Sequence, residues 1–317
     1  MATLTSVGSA AGGAPGARPI SVLDWVAALV VVLIWAYNFI IGKIGVMQLP
    51  PLLLIGLRFA LVAVLLAPFL DRPGRRWPLI AALSVVLGVL HFGLLFVGLR
   101  GVSAGPAAIA IQLTVPFSAL LAAVFYRERL RTWQIVGMLV AFAGVWLLAG
   151  DPAQAPSPVH VLLVVIAAFA WASANVLIKR LGPINVFTLN AWVALLACPQ
   201  LLLASALLEH GQIEAIAAAD WRAWAAVVYM AVGASITAYG LWYYLIAKHE
   251  MNRIVPMTLL SPVLAVGLAV PLLGEPLTVH VIVGGAVTIA GVGMIQFLGG
   301  RPRARAKAGS IEPPVST

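Results

Sequence analysis

The sequence predicts an all-α integral membrane fold: ten transmembrane helices arranged as two inverted five-helix repeats around a central cavity. Three observations lead there. The 317-residue chain is 62% hydrophobic and only 9% charged, too little polar surface to coat a soluble globule. One ordered set of residues occurs twice: Gln112, Pro116, Glu128, Leu130, Gly137 and Gly144 return as Thr258, Pro262, Glu275, Leu277, Gly284 and Gly291, the last four at identical spacing. Five apolar spans precede residue 150 and five follow it. An odd number of crossings per copy sets the second copy upside down relative to the first.

Residues 1–20 are small and polar with a single Arg18, giving neither the apolar core nor the clustered positive start of a signal peptide. They read as a disordered cytoplasmic tail. Span 1 runs from about Asp24 to Gly45 with Trp25 as an interface anchor, and about 20 residues at ~1.5 Å each suffice for a ~30 Å hydrocarbon core. Pro50 and Pro51 turn the chain into span 2, about 51 to 70, which ends in the charged, proline- and glycine-broken run Asp71 to Trp77. Span 3 covers about 78 to 99. Span 4, about 105 to 126, holds Pro106 in its first turn, where a missing N–H costs nothing. Arg127 to Arg131 separates it from span 5, about 133 to 149. Residues 151–158, with three prolines, are the linker, so that the first repeat occupies 21–150 and the second 159–299. Spans 6 to 10 fall at about 159 to 178, 184 to 208, 221 to 247, 254 to 273 and 277 to 298. Lys248 to Arg253 forms the break after span 8, and 300–317 is a basic cytoplasmic tail.

The basic residues give an independent check. Of 19 Lys and Arg, 15 fall in the tails and the loops after spans 2, 4, 6 and 8. By the positive-inside rule both termini are cytoplasmic and the protein is a multi-pass inner (plasma) membrane protein. A net charge of +9 dealt out among loops is an orientation signal and not a nucleic-acid-binding face. Cys198, the single cysteine, sits in an apolar span and reads as packing.

An intramembrane cation is costly and persists where it meets water, a substrate or a partner, which draws attention to Lys43 and Arg58. Lys43, close to its helix end, reads as snorkelling to the headgroups. Arg58 lies deeper and either binds a substrate carboxylate or ties down helix-end carbonyls. Trp35, Asn38 and Gly42 share a face of span 1, and Trp171 and Asn175 share a face of span 6, with Lys179 following Trp171 as Lys43 follows Trp35. Such echoes in inverted copies suit the walls of a common cavity, with helix-to-helix hydrogen bonding as the alternative for each asparagine. Span 8 carries Ser235, Tyr239, Trp242 and Tyr243 along one face, with Tyr239 and Tyr243 as candidate cavity residues. His91, mid-span 3, is the one buried group able to carry a proton, or it makes a neutral inter-helix hydrogen bond. Gln112 and Thr258 each precede a mid-span proline by one turn, at Pro116 and Pro262, where the bend frees a carbonyl. The glycine pairs 137/144 and 284/291 allow close helix approach.

Absent motifs exclude other classes. No P-loop run cradles nucleotide phosphates, and no metalloprotease or nucleophile-elbow motif appears, so neither ATP-driven pumping nor enzyme catalysis has a foothold. No cofactor and no metal are expected. The implied partners are a small-molecule substrate, the lipid bilayer and protons as a candidate coupling ion. A passive channel and a membrane scaffold are the competing classes; the tryptophan-rich, charge-poor interior argues against an ion pore.

The run Leu33-Ile34-Trp35-Ala36-Tyr37-Asn38-Phe39 with Lys43, the stretch from Pro50-Pro51 to Leu57-Arg58-Phe59, and Pro116 to Glu128-Arg129-Leu130 resemble the EamA family of the drug/metabolite transporter superfamily over about residues 24 to 298. The first two spans look most like bacterial exporters of O-acetylserine and cysteine. The resemblance implies a ten-helix inner-membrane exporter of amino acids or related metabolites, working by alternating access around a cavity lined by spans 1, 3, 4, 6, 8 and 9. Matching positions are Trp35, Asn38, Lys43, Arg58, Pro116, Glu128, Pro262 and Glu275. Span 7 departs from the pattern, with Asn190 and Trp192 where Arg58 would have its mate.

Overall fold

A computed structural model describes residues 20–249 and 254–298. The expected N-terminal tail up to residue 19, the polar residues Glu250 to Arg253 and the basic C-terminal tail lie outside the described residues. Among the described residues nine helical segments are long and apolar enough to cross a membrane. They are α1 Val22–Gln48, α3 Gly74–Gly101, α4 Ala104–Tyr126, α5 Thr132–Ala149, α6 Pro158–Leu181, α7 Val186–Leu208, α8 Trp221–Lys248, α9 Pro256–Leu273 and α10 Val279–Leu298. Between α1 and α3 lies α2, Pro51–Leu65, an apolar helix of 15 residues. The second span is thus shorter than the sequence suggests, its α-helix giving way to a 3₁₀ turn at Ala67–Phe69 where Pro68 cannot supply the next ladder N–H.

Local chemistry sets the helix ends. Ser21, Asn185, Asp220 and Thr278 accept N–H bonds from the first turns of α1, α7, α8 and α10. At the other end, Arg127 closes α4 at φ 55° and Gly274 closes α9 at φ 68°, left-handed positions that release the chain from the helix.

The packing is that of an inverted repeat. Helix α1 packs against α8 and α9, as α6 packs against α3 and α4, while α2 meets its own counterpart α7 and α5 meets α10. Counterparts run antiparallel. Leu52 and Leu53 at the start of α2 donate to Glu209 just past the end of α7, at 2.8 and 3.2 Å, and Trp192 near the start of α7 donates to the Asp71 carbonyl beyond α2. Helices α5 and α10 cross at the glycines: a Cβ on Gly137 would lie 2.7 Å from the Gly291 carbonyl oxygen, and one on Gly144 would lie 2.6 Å from that of Gly284. The repeated glycines therefore meet each other across the two halves, the close approach their spacing suggests. Buried Leu54, Phe59, Phe96, Ala167, Ala194 and Met230 belong to one core joining both halves. Side chains such as Leu139, Trp146 and Leu207 point outward, as lipid contact allows.

The two ends of the bundle are tied differently. At the far face, opposite the start of α1, Glu275 accepts N–H bonds from Ala104 and Gly105 at the start of α4. Gln48 at the end of α1 and Asp220 at the start of α8 exchange hydrogen bonds of 2.9 and 3.0 Å. The Gln48 amide, above all, holds the Asp220 carboxyl below the usual carboxylate range. Thr278 donates to Asp151 across the linker. At the near face Asp24 is fully buried and is met by Lys248 at 2.9 Å, His249 at 3.0 Å and the Tyr244 hydroxyl at 3.2 Å, all from the end of α8.

Lys43 does not snorkel. Its ammonium donates to the carbonyls of Leu99 at 2.7 Å and Val102 at 2.9 Å, closing the end of α3. Lys179, its counterpart in α6, instead lies 3.7 Å above the Tyr126 ring.

Candidate functional site

Helices crossing a bilayer satisfy their own backbone, so a site must be built from side chains or from departures from regular helix. Both occur at the middle of this bundle. Helices α3 and α8 carry matching π-helical segments, Ser84–Gly93 and Tyr229–Thr237. Helices α4 and α9 carry matching 3₁₀ segments, Ile111–Leu113 and Val255–Leu259, just before Pro116 and Pro262. Gln112 and Thr258 therefore stand on tightened turns, where the sequence suggests a proline bend. The π segments place His91 and Ser235.

Around these breaks the aromatic side chains form one connected cluster. Trp35 lies 5.9 Å from Tyr239 and 5.3 Å from Trp242. Tyr239 stacks on Trp171 at 6.5 Å with 17° between planes, and Trp171 lies 4.7 Å from the His91 ring. Phe92 joins His91 and Trp171 at 4.6 and 6.3 Å. Helices α1, α3, α6 and α8 thus meet through side chains named from sequence, with Phe92 the addition.

Arg58 enters this cluster from α2. It is 2% exposed, its guanidinium carbon lies 4.5 Å from the Phe92 ring centre, and its Nε donates to the Ser235 hydroxyl at 3.0 Å. Its Nη1 is buried and has no hydrogen-bond partner, and the same holds for the Asn38 Oδ1 of α1. A buried donor on a cation and a buried carbonyl acceptor, both unsatisfied, cost free energy in the empty protein that a polar ligand would recover. Of the two readings of Arg58, it does not tie down helix-end carbonyls; Lys43 does that.

His91, 4% exposed, bonds the Ala167 carbonyl through Nδ1 at 2.9 Å. A carbonyl only accepts, so Nδ1 carries the proton and the contact is the α3-to-α6 hydrogen bond given above as one reading. Asn175 is exposed, one turn beyond Trp171, and stands outside the packed cluster. Tyr243 is 6.5 Å from Tyr239 and lines a cavity of about 540 Å³ together with Asn185, Phe187, Gly240, Tyr244 and Ala247. That cavity opens between the start of α7 and the end of α8, so α7 contributes a wall that the sequence reading leaves out.

Three features escaped sequence reasoning. Asn190 of α7 donates to the Ser235 carbonyl at 2.7 Å, so the position lacking a cation is still engaged with the site. Ser235 joins Arg58 and Asn190, though its place in a stripe of aromatics hinted only at packing. Asp24, eleven residues before Trp35, matches His160, eleven before Trp171, whose ring packs on Gly101 with its Nδ1 buried and unpartnered.

Among the described residues no group of His, Cys, Asp and Glu is arranged to hold a metal ion. The protein is similar to a probable amino-acid metabolite efflux pump of Salmonella typhimurium (strain LT2), 33% identical over 293 residues that cover 90% of this chain and 98% of the relative. The Escherichia coli (strain K12) protein of the same description is 32% identical, covering 90% and 99%. An uncharacterized transporter of Bacillus subtilis (strain 168), YoaV, is 24% identical, covering 84% and 94%. A solved structure titled only as the crystal structure of a protein shares the fold, with a TM-score of 0.60 at 21% identity over 87% of this chain and 97% of that one. The EamA-like transporter family matches residues 25–150 and 159–297. With nearly all of the described helices accounted for in two tandem matches, this multi-pass membrane protein belongs to the EamA-like transporter family, a family of transporters and not of enzymes.

Proposed function

We propose that the protein exports a small amino acid or amino-acid derivative, of the O-acetylserine or cysteine kind, by alternating access of two five-helix repeats, 21–150 and 159–299. The observation that carries this reading is Arg58: buried, braced on one side and left with an unpaired Nη1 beside an aromatic cluster, it is a receptor for a carboxylate. Asn38 supplies an acceptor for the substrate ammonium, while Gln112, Thr258 and, nearer the entrance, Asn175 supply further hydrogen bonds. Trp35, Trp171 and Tyr239 form apolar walls. The relatives' descriptions as probable amino-acid metabolite efflux pumps support the same substrate class.

The basic loops assign the near face and both termini to the cytoplasm of a cell with this protein in its inner membrane, and α2 then serves as the tenth crossing. A groove at Tyr243 lies on that side, between the start of α7 and the end of α8, and in an alternating-access cycle it is the candidate cytoplasmic entrance. Protons are the candidate coupling ion, taken up at the His91 Nε2, the ring nitrogen not bonded to the Ala167 carbonyl. Efflux from cells or proteoliposomes tests the reading. Arg58→Ala abolishes saturable transport of carboxylate-bearing amino acids; transport unchanged for every such substrate removes the assignment.

A further inference from the structure

The repeat that lacks a counterpart to Arg58 still shapes the site. We infer that Ser235 and Asn190 are positioning residues that hold the Arg58 guanidinium in the one orientation suited to a carboxylate, an inference that rests on the substrate reading above.

The argument begins with the backbone of α8. In the π segment Tyr229–Thr237 the backbone ladder shifts from i→i+4 to i→i+5, which widens the turn that carries Ser235. The Ser235 hydroxyl donates to the Met230 carbonyl, five residues earlier, at 3.0 Å. The Ser235 carbonyl in turn accepts the Asn190 side-chain amide at 2.7 Å. Ser235 is 1% exposed, so water does not compete for either bond. Both polar groups of one residue are therefore fixed, one by its own helix and one by α7.

With its proton given to Met230, the Ser235 oxygen has lone pairs free, and the Arg58 Nε–H points to one at 3.0 Å. This bond has a stereochemical consequence. A guanidinium takes a carboxylate either side-on, through Nε and one Nη, or end-on, through both Nη groups. Ser235 occupies Nε and removes the side-on mode. Phe92, 4.5 Å from the guanidinium carbon, covers one flat face. The end-on fork remains, and its Nη1 is the atom left buried and unpaired. A cation from α2, a hydroxyl from α8 and an amide from α7 thus make one anion site from both repeats.

The test uses the purified full-length protein and its intrinsic tryptophan fluorescence, to which Trp35 and Trp171 contribute from the site and eight other tryptophans from elsewhere. It is titrated with L-cysteine, O-acetyl-L-serine, L-leucine and L-phenylalanine, each beside its carboxamide, which keeps the ammonium and removes the anion. The wild type binds acids over amides by about tenfold or more, the value of one charge-assisted pair. Ser235→Ala and Asn190→Leu lower that preference at least about fivefold by weakening acid binding alone, and Ser235→Thr, which keeps a hydroxyl, restores it. A merely structural role would move acids and amides together. If Ser235→Ala fails to give a monodisperse protein, Ser235→Cys and Asn190→Ala carry the same comparison. Should Arg58→Ala erase the acid preference while the Ser235 and Asn190 variants keep it, the positioning inference is overturned and the carboxylate reading stands. Should the wild type bind neither form or bind acid and amide alike, or Arg58→Ala keep the preference, the carboxylate reading itself fails.

Discussion

Lys43 and Arg58 enter the bilayer on successive helices, and their partners give them different work. Lys43 spends its protons on the Leu99 and Val102 carbonyls, where no amide of the next turn is available. Lys43→Met leaves those carbonyls unpaired and costs roughly 1–3 kcal/mol, seen as a lower thermal unfolding midpoint with an unchanged apparent affinity for substrate. Arg58→Ala has the opposite signature, losing substrate before stability. Helical spacing put Trp35 with Asn38, Trp171 with Asn175 and Ser235 with Tyr239 on shared faces, because a period of 3.6 residues fixes which side chains align. It could not supply the contact of Arg58 with Ser235, which joins residues 177 positions apart, nor that of Asp24 with Lys248. Those depend on which helices become neighbours, and a single sequence does not contain that information in local form.

Pro116 and Pro262 marked an irregularity in α4 and α9, since a missing N–H has a local effect; its form, the tightened turns at Ile111–Leu113 and Val255–Leu259, was not foreseen. The π segments in α3 and α8 had no such marker. Nothing in Ser84–Gly93 or Tyr229–Thr237 forbids regular α-helix, so the sequence gives no local sign of them. The α5–α10 pair belongs to the readable class: seven-residue glycine spacing in both copies implies a close crossing, and the crossing is made backbone to backbone. Gly144→Leu would put a side chain where the Thr288 amide and Gly284 carbonyl lie 2.5 and 2.6 Å from its first carbon. Neither neighbour is a flexible side chain, so the helices separate. Overpacking of this kind costs at least about 1–3 kcal/mol, expected as a fall in the yield of monodisperse protein and in its unfolding temperature.

Across the whole molecule, the far face is held by carboxylates that cap helices of other elements, Glu209 on α2 and Glu275 on α4, and the near face by Asp24 with Lys248 and His249 beside the groove at Tyr243. Alternating access requires the first set to yield when the second closes. Phe39 of α1 is half-buried against the cluster that holds Ala104 at the start of α4 and Ala269 near the end of α9. Glu209→Gln combined with Glu275→Gln should therefore raise labelling of a Phe39→Cys reporter, in a Cys198→Ser background, by a membrane-impermeant reagent added from outside. Unchanged labelling would place the outer gate elsewhere. The most direct test of the account as a whole is counterflow in proteoliposomes. Labelled L-cysteine or O-acetyl-L-serine should enter saturably and faster when the same unlabelled compound fills the lumen, and Arg58→Ala should abolish the stimulation. Flux that rises linearly with concentration and ignores the lumenal contents, or no flux of any amino acid, would contradict it.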